Sequence, residues 1–196
     1  MVAKPHRYAL VSLVCSAIVA SACARVTGCF QPIPFVPTPI EVVDRMLEFG
    51  GASSRDIVYD IGSGDGRVVI RAATKYGARG VGIETNGALV EIAREQAKRA
   101  GVAHLVEFRH EDALMADLSA ATLITLYMLP SFNRKLRPVL ERQLKQRTRV
   151  VAHDYPIEGW EPARWEVMPI VDTRPEVVQH KHILYLYEWN GSKASS

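Results

Sequence analysis

The stretch Asp60-Ile61-Gly62-Ser63-Gly64-Asp65-Gly66 decides the fold of this 196-residue chain. It ends a short β-rich segment, 56–61, and leads into an amphipathic segment, 66–76. Glycines at alternate positions allow a tight turn and let the backbone approach a ligand closely at the N-terminus of the next helix. The stretch therefore predicts a strand, a glycine-rich turn and a helix, which is the first half of a βαβ unit.

The rest of the chain continues this alternation of β-rich and amphipathic segments. Strands are predicted at 56–61, 80–84, 105–109, 121–129, 149–154, 164–171 and 182–189, and helices at 66–76, 87–100 and 131–146. An additional helix is predicted to begin at Thr38, because Thr38 and Glu41 form a capping box with Pro39 at the first helical position. The pattern predicts an α/β fold with a mainly parallel seven-stranded sheet and helices on both faces. Because the last two strands are joined by a segment without helical pattern, they are predicted to form an antiparallel pair at the sheet edge.

The N-terminal part of the chain differs from the rest. Its basic start, its apolar run from Tyr8 to Val19 and the small residues before Cys23 have the layout of a secretory signal peptide. The uncharged stretch is also just long enough for a membrane anchor. We therefore expect a membrane-associated or exported protein with a leader of bacterial type. The predicted segments are a signal peptide or anchor, a proline-rich linker, the folded domain and a polar tail, at 1–24, 25–37, 38–190 and 191–196.

Charge and cysteine content exclude several classes of function. Three of the 24 basic residues precede the first acidic residue, Glu41, so the domain itself balances its 21 acidic residues. Nucleic-acid-binding domains usually carry a basic excess, so no nucleic-acid partner is expected. All three cysteines precede residue 30, which excludes an internal disulfide, a cysteine-ligated metal and a cysteine nucleophile from the domain.

The acidic residues around the glycine turn indicate which ligand it binds. Dinucleotide sites favour the spacing G-x-G-x-x-G, whereas this turn has G-x-G-x-G, and a pyrophosphate would be repelled by Asp60 and Asp65. A ligand with a cationic sulfonium, an ammonium group and no phosphate would be attracted. This preference predicts S-adenosylmethionine as the cofactor, with a nicotinamide dehydrogenase as the alternative for this fold.

Two further strand ends supply groups for the same ligand. Glu84 ends the second strand, where an acid accepts hydrogen bonds from ribose hydroxyls in nucleotide-binding βαβ units. Asp112 and Ala113 follow the third strand, where a carboxylate and a backbone amide could meet the adenine ring. The predicted cofactor-binding residues are Asp60, Gly62, Ser63, Gly64, Asp65, Gly66, Glu84, Asp112 and Ala113.

These segments resemble known families at two levels. Asp60–Gly66, Glu84 and Asp112 resemble the successive cofactor motifs of Rossmann-like class I methyltransferases. The segments 34–39, 59–67 and 126–130 are similar to the family that contains the lysine methyltransferases of mitochondrial adenine nucleotide translocase and of the ATP synthase c-subunit. The narrower resemblance implies a protein-lysine N-methyltransferase acting on a membrane-associated protein. A small-molecule methyltransferase and a non-catalytic S-adenosylmethionine-binding module remain alternatives.

The candidates for catalysis follow the fourth and fifth strands. A lysine amine with a pKa near 10.4 must lose its proton before it can accept a methyl group, so the site must desolvate the amine or take up that proton. Asp154, Tyr127 and His153 are the predicted catalytic residues. Asp154 could orient the amine, and Tyr127 or Tyr155 could form an aromatic wall beside it. Alternatively, Tyr127 packs in the core and His153 is a hydrogen-bonded histidine at a strand end.

Two remaining features concern metals and membranes. His180 and His182 lie on one face of a strand, but no further ligands at a suitable spacing accompany them, so no metal is expected. The stretch from Arg134 to Arg149 contains seven basic residues and one acidic residue, Glu141. Such a run is either a solvated face or a contact with acidic lipid headgroups or an acidic partner.

Overall fold

The computed structural model describes residues 35–168 and 181–191. Within them the helices are α1 (Ile40–Phe49), α2 (Arg67–Tyr76), α3 (Gly87–Arg99) and α4 (Pro130–Gln143). The strands are β1 (Ile57–Ile61), β2 (Arg79–Glu84), β3 (Val106–His110), β4 (Leu123–Leu126), β5 (Arg149–His153), β6 (Arg164–Met168) and β7 (His182–Glu188). No helix in these two ranges is long and apolar enough to cross a membrane.

The strands form one sheet in the order β3-β2-β1-β4-β5-β7-β6. Strands β1 to β5 pair in parallel, and β7 pairs antiparallel with both β5 and β6. The predicted seven-stranded, mainly parallel sheet is therefore confirmed. Its antiparallel strand lies one position inside the edge, which β6 occupies.

The strand order reverses at β1. The chain runs outward from β1 through β2 to β3 and then returns to the other side of β1 as β4. In open parallel sheets, ligands bind outside the carboxyl ends of the strands at such a switch point. The topology therefore predicts a ligand site at the residues that follow β1 and β4.

Alternation along the central strands builds a hydrophobic core on each face of the sheet. Val58 and Leu123 pack with helices α1, α2 and α3, whereas Ile61 and Ile124 pack with α4. Strands covered on both faces are expected to be almost wholly apolar. The buried polar residues Asp60 and Thr125, on β1 and β4, depart from this pattern.

Most element boundaries differ from the sequence-based expectations by one to three residues. The capping box is wrong: Pro39 is the N-cap of α1, no side chain caps the helix, and the Thr38 carbonyl accepts a hydrogen bond from Arg67. Strand β4 ends at Leu126 because the chain then turns into α4, which begins at Pro130. Strand β6 is described from Arg164 to Met168, so the predicted extension over 169–171 lies outside the described residues. The predicted signal peptide, most of the linker, His180 and the last five residues of the tail also lie outside them.

A buried carboxylate connects β1, β4 and β5 at the amino ends of these strands. Asp56 is 5% exposed and accepts hydrogen bonds from Ser53, from Thr122 and from the Arg149 guanidinium. Burial acts to raise the pKa of Asp56, but these hydrogen bonds and the Arg149 charge hold it below its ordinary value. Arg149 also donates to the carbonyls of Gly50 and Gly51, so it ties α1 to the sheet.

We predict that Asp56→Ala lowers the free energy of unfolding by roughly 2 to 4 kcal/mol, because the half-buried Arg149 loses its charge partner. Because the folded-state pKa of Asp56 is lowered, this contribution is present above the ordinary pKa and lost as the pH falls below it. Urea denaturation at pH 7 measures the change. The control is Glu95→Ala, which breaks an exposed pair with Lys98 and should leave stability almost unchanged. Equal midpoints for the two variants would contradict the prediction.

Candidate active site

The glycine turn after β1 adopts a backbone that side chains would not permit. Gly62, Gly64 and Gly66 have φ angles of 71°, 53° and 81°, in the left-handed region that favours glycine. A Cβ on Gly66 would lie 2.5 Å from the Phe108 ring. The amides of Gly62 and Ser63 both donate to the carbonyl of Ile83 on β2. The turn is therefore held against the neighbouring strand.

Glu84 joins the end of β2 to this turn. One carboxylate oxygen, Oε2, accepts a hydrogen bond from the Gly64 amide at 2.9 Å, and the other, Oε1, accepts from the Asn86 amide at 2.8 Å. Carboxylate oxygens can accept more than one hydrogen bond each. The side chain can therefore support the turn and still accept from a ribose hydroxyl of a ligand.

Asp60 is the buried acid of the site. Its Oδ1 accepts from the Thr125 hydroxyl at 2.7 Å. Burial raises the pKa of Asp60 to about 7, although the Thr125 hydrogen bond opposes this, and the nearby charges of Glu84 and Asp65 add to the rise. A cationic ligand beside Asp60 would favour its ionised form, whereas a pyrophosphate would oppose it. The residues of the turn therefore fit a sulfonium cofactor better than a dinucleotide.

Asp65 has a different environment from the one that the sequence suggests. Its carboxylate forms a two-point ion pair with Arg67, with Nη2 2.6 Å from Oδ2 and Nε 2.9 Å from Oδ1. Burial acts to raise the pKa of Asp65, but Arg67 holds it below its ordinary value. Arg67 thus compensates this negative charge. The uncompensated acidic groups at the turn are Asp60 and Glu84.

Asp112 and Ala113 follow β3, next to the end of β2. Glu84 pairs in register with His110, so Asp112 lies two residues beyond that pair. The Asp112 side chain is exposed and accepts from the Leu114 amide at 2.9 Å, while Ala113 is buried. The predicted cofactor-binding residues therefore lie at the ends of three adjacent strands, β1, β2 and β3.

A second group of polar and aromatic side chains lies at the ends of β4, β5 and β7. The Tyr127 ring is 4.0 Å from the His153 ring and stacks on Tyr155 at 6.1 Å between centroids. His153 Nε2 is 2.8 Å from His182 Nδ1. Asp154 Oδ2 lies 3.4 Å and 3.6 Å from these two nitrogens. The structure thus brings together the three predicted catalytic residues, Tyr127, His153 and Asp154.

Asp154 and Tyr127 are held in place by specific interactions. Asp154 has a φ of 60°, which is uncommon for a residue with a side chain. Its amide donates to the Ile183 carbonyl and its Oδ1 accepts from the Ile183 amide, so β7 fixes this conformation. Burial, the charge of Asp154 and a hydrogen bond to it raise the pKa of Tyr127 to about 12. Tyr127 therefore remains a neutral phenol at neutral pH.

His182 is the member of this group that sequence reasoning missed, because it was considered only with His180 as a metal pair. His153, Asp154 and His182 offer atoms within 4.8 Å of one another, a set that could hold a metal ion. The sequence does contain a signal for this pair: His182 begins the predicted strand 182–189, and His153 lies near the end of the predicted strand 149–154. That signal becomes informative only when β5 and β7 are known to be neighbours.

The two groups lie at the same edge of the sheet. Ile61 at the end of β1 pairs with Leu126, which in turn pairs with Ala152. A Cβ on Gly62 would lie 2.8 Å from the sulfur of Met128, the residue after Tyr127. Since neighbouring strands are about 4.8 Å apart, Asp154 lies roughly 10 Å from the glycine turn. A cofactor bound at the turn could present its methyl group toward the second group.

The predicted basic stretch is only partly available for a partner. Arg149 is bound to Asp56, Arg137 pairs with Glu141, and Arg134 lies 3.5 Å from Glu158. The other four basic residues of the stretch, all within the part of the chain that the structure describes, are exposed and form no ion pair there: Lys135, Arg142, Lys145 and Arg147. These four, on α4 and the loop after it, form the basic face that remains.

This strand order, with a glycine-rich turn after β1 and an acid at the end of β2, defines a Rossmann-like class I methyltransferase that uses S-adenosylmethionine. Residues 60–164 match the model of the ANTKMT methyltransferase domain. The chain belongs to this family, and the predicted cofactor and enzyme class are confirmed.

Three similar proteins illustrate the relationship. A protein-lysine N-methyltransferase of Saccharolobus islandicus is 39% identical over 79% of this chain and 92% of its own length. The human lysine N-methyltransferase of the ATP synthase c-subunit is 35% identical over 66% of this chain. The matched region covers 55% of the length of that human protein. The crystal structure of an RNA methyltransferase from Salinibacter ruber, in complex with S-adenosyl-L-homocysteine, shares 48% identity over 82% of this chain and 98% of that one, with a TM-score of 0.74.

We predict that Asp60→Asn stabilises the ligand-free fold and weakens cofactor binding. The folded-state pKa of about 7 lies above the ordinary 3.8, so the stabilising effect of the neutral acid is complete below pH 3.8 and lost above about pH 7. At pH 8 the variant should regain up to about 4 kcal/mol of unfolding free energy. Wild-type affinity for S-adenosylmethionine, measured by calorimetry, should rise from pH 6 to pH 8, and that of the variant should not.

The control for this experiment is Asp65→Asn, which should retain the pH dependence because Asp60 is unchanged. A wild-type affinity that does not vary between pH 6 and pH 8 would exclude this role for Asp60.

We also predict that Glu84→Ala lowers the affinity for S-adenosylmethionine by at least about tenfold, because a charge-assisted acceptor and the support of the Gly64 amide are lost together. Calorimetry with the purified protein measures the loss. Glu107→Ala is the matched control, since Glu107 is an exposed acid on β3 that pairs with Arg109. Equal affinities for the two variants would remove Glu84 from the binding site.

Proposed function

We propose that this enzyme transfers methyl groups from S-adenosylmethionine to a lysine side chain of a membrane-associated protein. The observation that carries the proposal is the contact of Asp154 with both histidines and with Tyr127, whose ring stacks on Tyr155, at the same sheet edge as the glycine turn. A carboxylate flanked by aromatic rings suits an alkylammonium group, which gains charge pairing and cation–π contact there.

The chemistry of methyl transfer makes such a group useful. The displacement occurs at a carbon already activated by the sulfonium, so alignment supplies much of the catalysis. The remaining obstacle is the proton of the amine, whose removal at pH 7 costs about 4.6 kcal/mol for an ordinary lysine. Asp154 can orient the ammonium, and the neutral phenol of Tyr127, which hydrogen-bonds to Asp154, can line the approach.

Two findings support a membrane-associated substrate. Relatives in this family are named for their action on the ATP synthase c-subunit and on adenine nucleotide translocase. The basic face of Lys135, Arg142, Lys145 and Arg147 would be attracted to acidic lipid headgroups around such a substrate. If the segment 1–24 is an anchor rather than a cleaved signal peptide, it would act with this face and retain the enzyme at a membrane.

RNA is the competing acceptor, because the similar Salinibacter protein is named an RNA methyltransferase. The charge balance of the domain opposes this choice, since binding to the phosphate backbone requires a basic excess. The Asp154 carboxylate at the end of β5 would also repel a phosphate brought close to it. We therefore favour a lysine over a nucleotide.

The test is incubation of the full chain with tritiated S-adenosylmethionine and a membrane fraction. We expect label in protein that survives ribonuclease, disappears when lysines are chemically blocked beforehand, and yields methyllysine on hydrolysis. Label that ribonuclease removes would establish RNA as the acceptor, and label only in small molecules would establish a metabolite. Cofactor binding without any label would make the chain a non-catalytic binding module.

The same assay tests Asp154. Asp154→Asn should reduce the initial rate of labelling by roughly 100-fold, because the ammonium loses its counter-charge. Its affinity for S-adenosylmethionine, measured by calorimetry, should stay within about twofold, since Asp154 lies two strands from the glycine turn. Asp117→Asn, at an exposed acid beyond β3, is the control and should label at the wild-type rate. A normal rate with Asp154→Asn would exclude this role.

A further inference from the structure

Two histidines from different strands form a hydrogen-bonded pair inside the domain. His153, at the end of β5, is fully buried, and His182, at the start of β7, is 6% exposed. The distance of 2.8 Å between Nε2 of His153 and Nδ1 of His182 requires one nitrogen to donate and the other to accept. A single proton therefore lies between the two rings.

The carboxylate of Asp154 lies close to both histidines of this pair. Its Oδ2 lies 3.4 Å from the His153 nitrogen and 3.6 Å from the His182 nitrogen. An additional proton on the pair would place a positive charge beside this carboxylate, and an opposite charge at this distance favours the protonated form of an imidazole. Burial favours the arrangement in which a charge is balanced by its neighbours.

We propose that the His153–His182 pair receives the proton that the substrate lysine must lose. The inference rests on the proposed lysine methyltransferase function. It makes the two histidines the proton acceptor of the reaction, a role separate from cofactor binding.

The step balances in atoms and charge. An N–H bond of the lysine ammonium breaks and its electron pair stays on nitrogen. The proton passes to the Asp154 carboxylate and on to the ring nitrogen, His153 Nε2 or His182 Nδ1, that had accepted the hydrogen bond within the pair. That hydrogen bond then opens, and both rings donate toward Asp154 Oδ2. The neutral amine then attacks the methyl carbon, and the bonding electrons leave with the sulfur. Asp154 has a cationic neighbour throughout, first the ammonium and then the imidazolium. The pair returns its proton to water before the next cycle.

Among the described residues, few other titratable groups face the pair. Tyr127 comes from β4, where it packs on His153, and Tyr155 follows β5. Helix α1 packs on β5 and β7, and its charged residues are exposed or paired elsewhere. Those pairs are Asp44 with Arg71, and Arg45 with Glu48 and Glu166. Within the part of the chain that the structure describes, Asp154 is therefore the carboxylate nearest to the pair.

The decisive variant is His182→Asn, whose amide can still hydrogen-bond to His153 but cannot take up a proton. If His182 had only a packing role, the variant would label protein at the wild-type rate. As part of the proton acceptor, its loss should reduce the initial labelling rate roughly 100-fold at pH 7. The rate should then rise about tenfold per pH unit toward pH 10, because more of the lysine is already neutral in solution.

Three controls distinguish loss of the proton acceptor from a general effect of replacing a histidine, from loss of cofactor binding and from a metal requirement. His104→Asn, at an exposed histidine between α3 and β3, should leave the rate and its pH profile unchanged. Calorimetry should give His182→Asn the wild-type affinity for S-adenosylmethionine. Treatment with EDTA should leave the wild-type rate unchanged. If EDTA abolishes activity and zinc restores it, the three residues form a metal site and the proposal is overturned.

An unchanged rate for His182→Asn, or a loss that is equal at every pH, would also overturn the proposal. If the variant does not fold, the wild type provides the test: NMR of nitrogen-15-labelled histidine must show the buried pair gaining one proton between pH 9 and pH 5, and a pair that gains none refutes the inference. A wild type that labels RNA or small molecules, with no lysine modified, would instead show that the proposed function has failed.

Discussion

The parallel pairing of β1 with β2 on one side and with β4 on the other is the constraint on which this structure depends. It forces the chain to reverse direction across the sheet at β1, and it aligns the carboxyl ends of β1 to β5 at one edge. Every residue that we assign to chemistry lies at or just after one of these ends, or on β7, which pairs with β5. A different strand order would separate the cofactor residues from the acceptor residues.

At this edge the protein tolerates polar groups that a sheet buried on both faces normally excludes. Asp60 is buried with Thr125 as its hydrogen-bond partner, and burial raises its pKa to about 7. Such a group destabilises the ligand-free fold at higher pH and favours a cationic ligand, so cofactor binding and stability depend on the same side chain. Asp65 is different because Arg67 neutralises it and connects the glycine turn to the Thr38 carbonyl before α1.

The antiparallel strand β7 positions the residues beside which we expect the methyl acceptor to bind. The backbone of Ile183 on β7 holds Asp154 in a left-handed conformation, and the same strand brings His182 against His153. A non-glycine residue in this conformation costs free energy, which surrounding contacts must offset. The fold therefore holds its strained acidic residue beside the strand ends where a substrate amine would meet the methyl donor.

The sequence by itself determined the class of the protein. The glycine turn at 60–66, Glu84 and Asp112 follow strands that periodicity predicts, and all are local features whose meaning depends only on short spacings. They predict the cofactor, whereas the alternation of β-rich and amphipathic segments predicts the sheet and the segments 34–39, 59–67 and 126–130 predict the family. The catalytic candidates Tyr127, His153 and Asp154 were also predictable as strand-end residues, although their roles remain predictions.

Tertiary structure alone decided how these residues are paired. Arg67 pairs with Asp65 at the glycine turn, Arg149 binds Asp56 across 93 residues, and His182 contacts His153 across 29. None of these contacts follows from periodicity, because each depends on which strands become neighbours and in which direction they run. The position of β7 between β5 and β6 results from long-range strand pairing. This pairing brings His182 to the site.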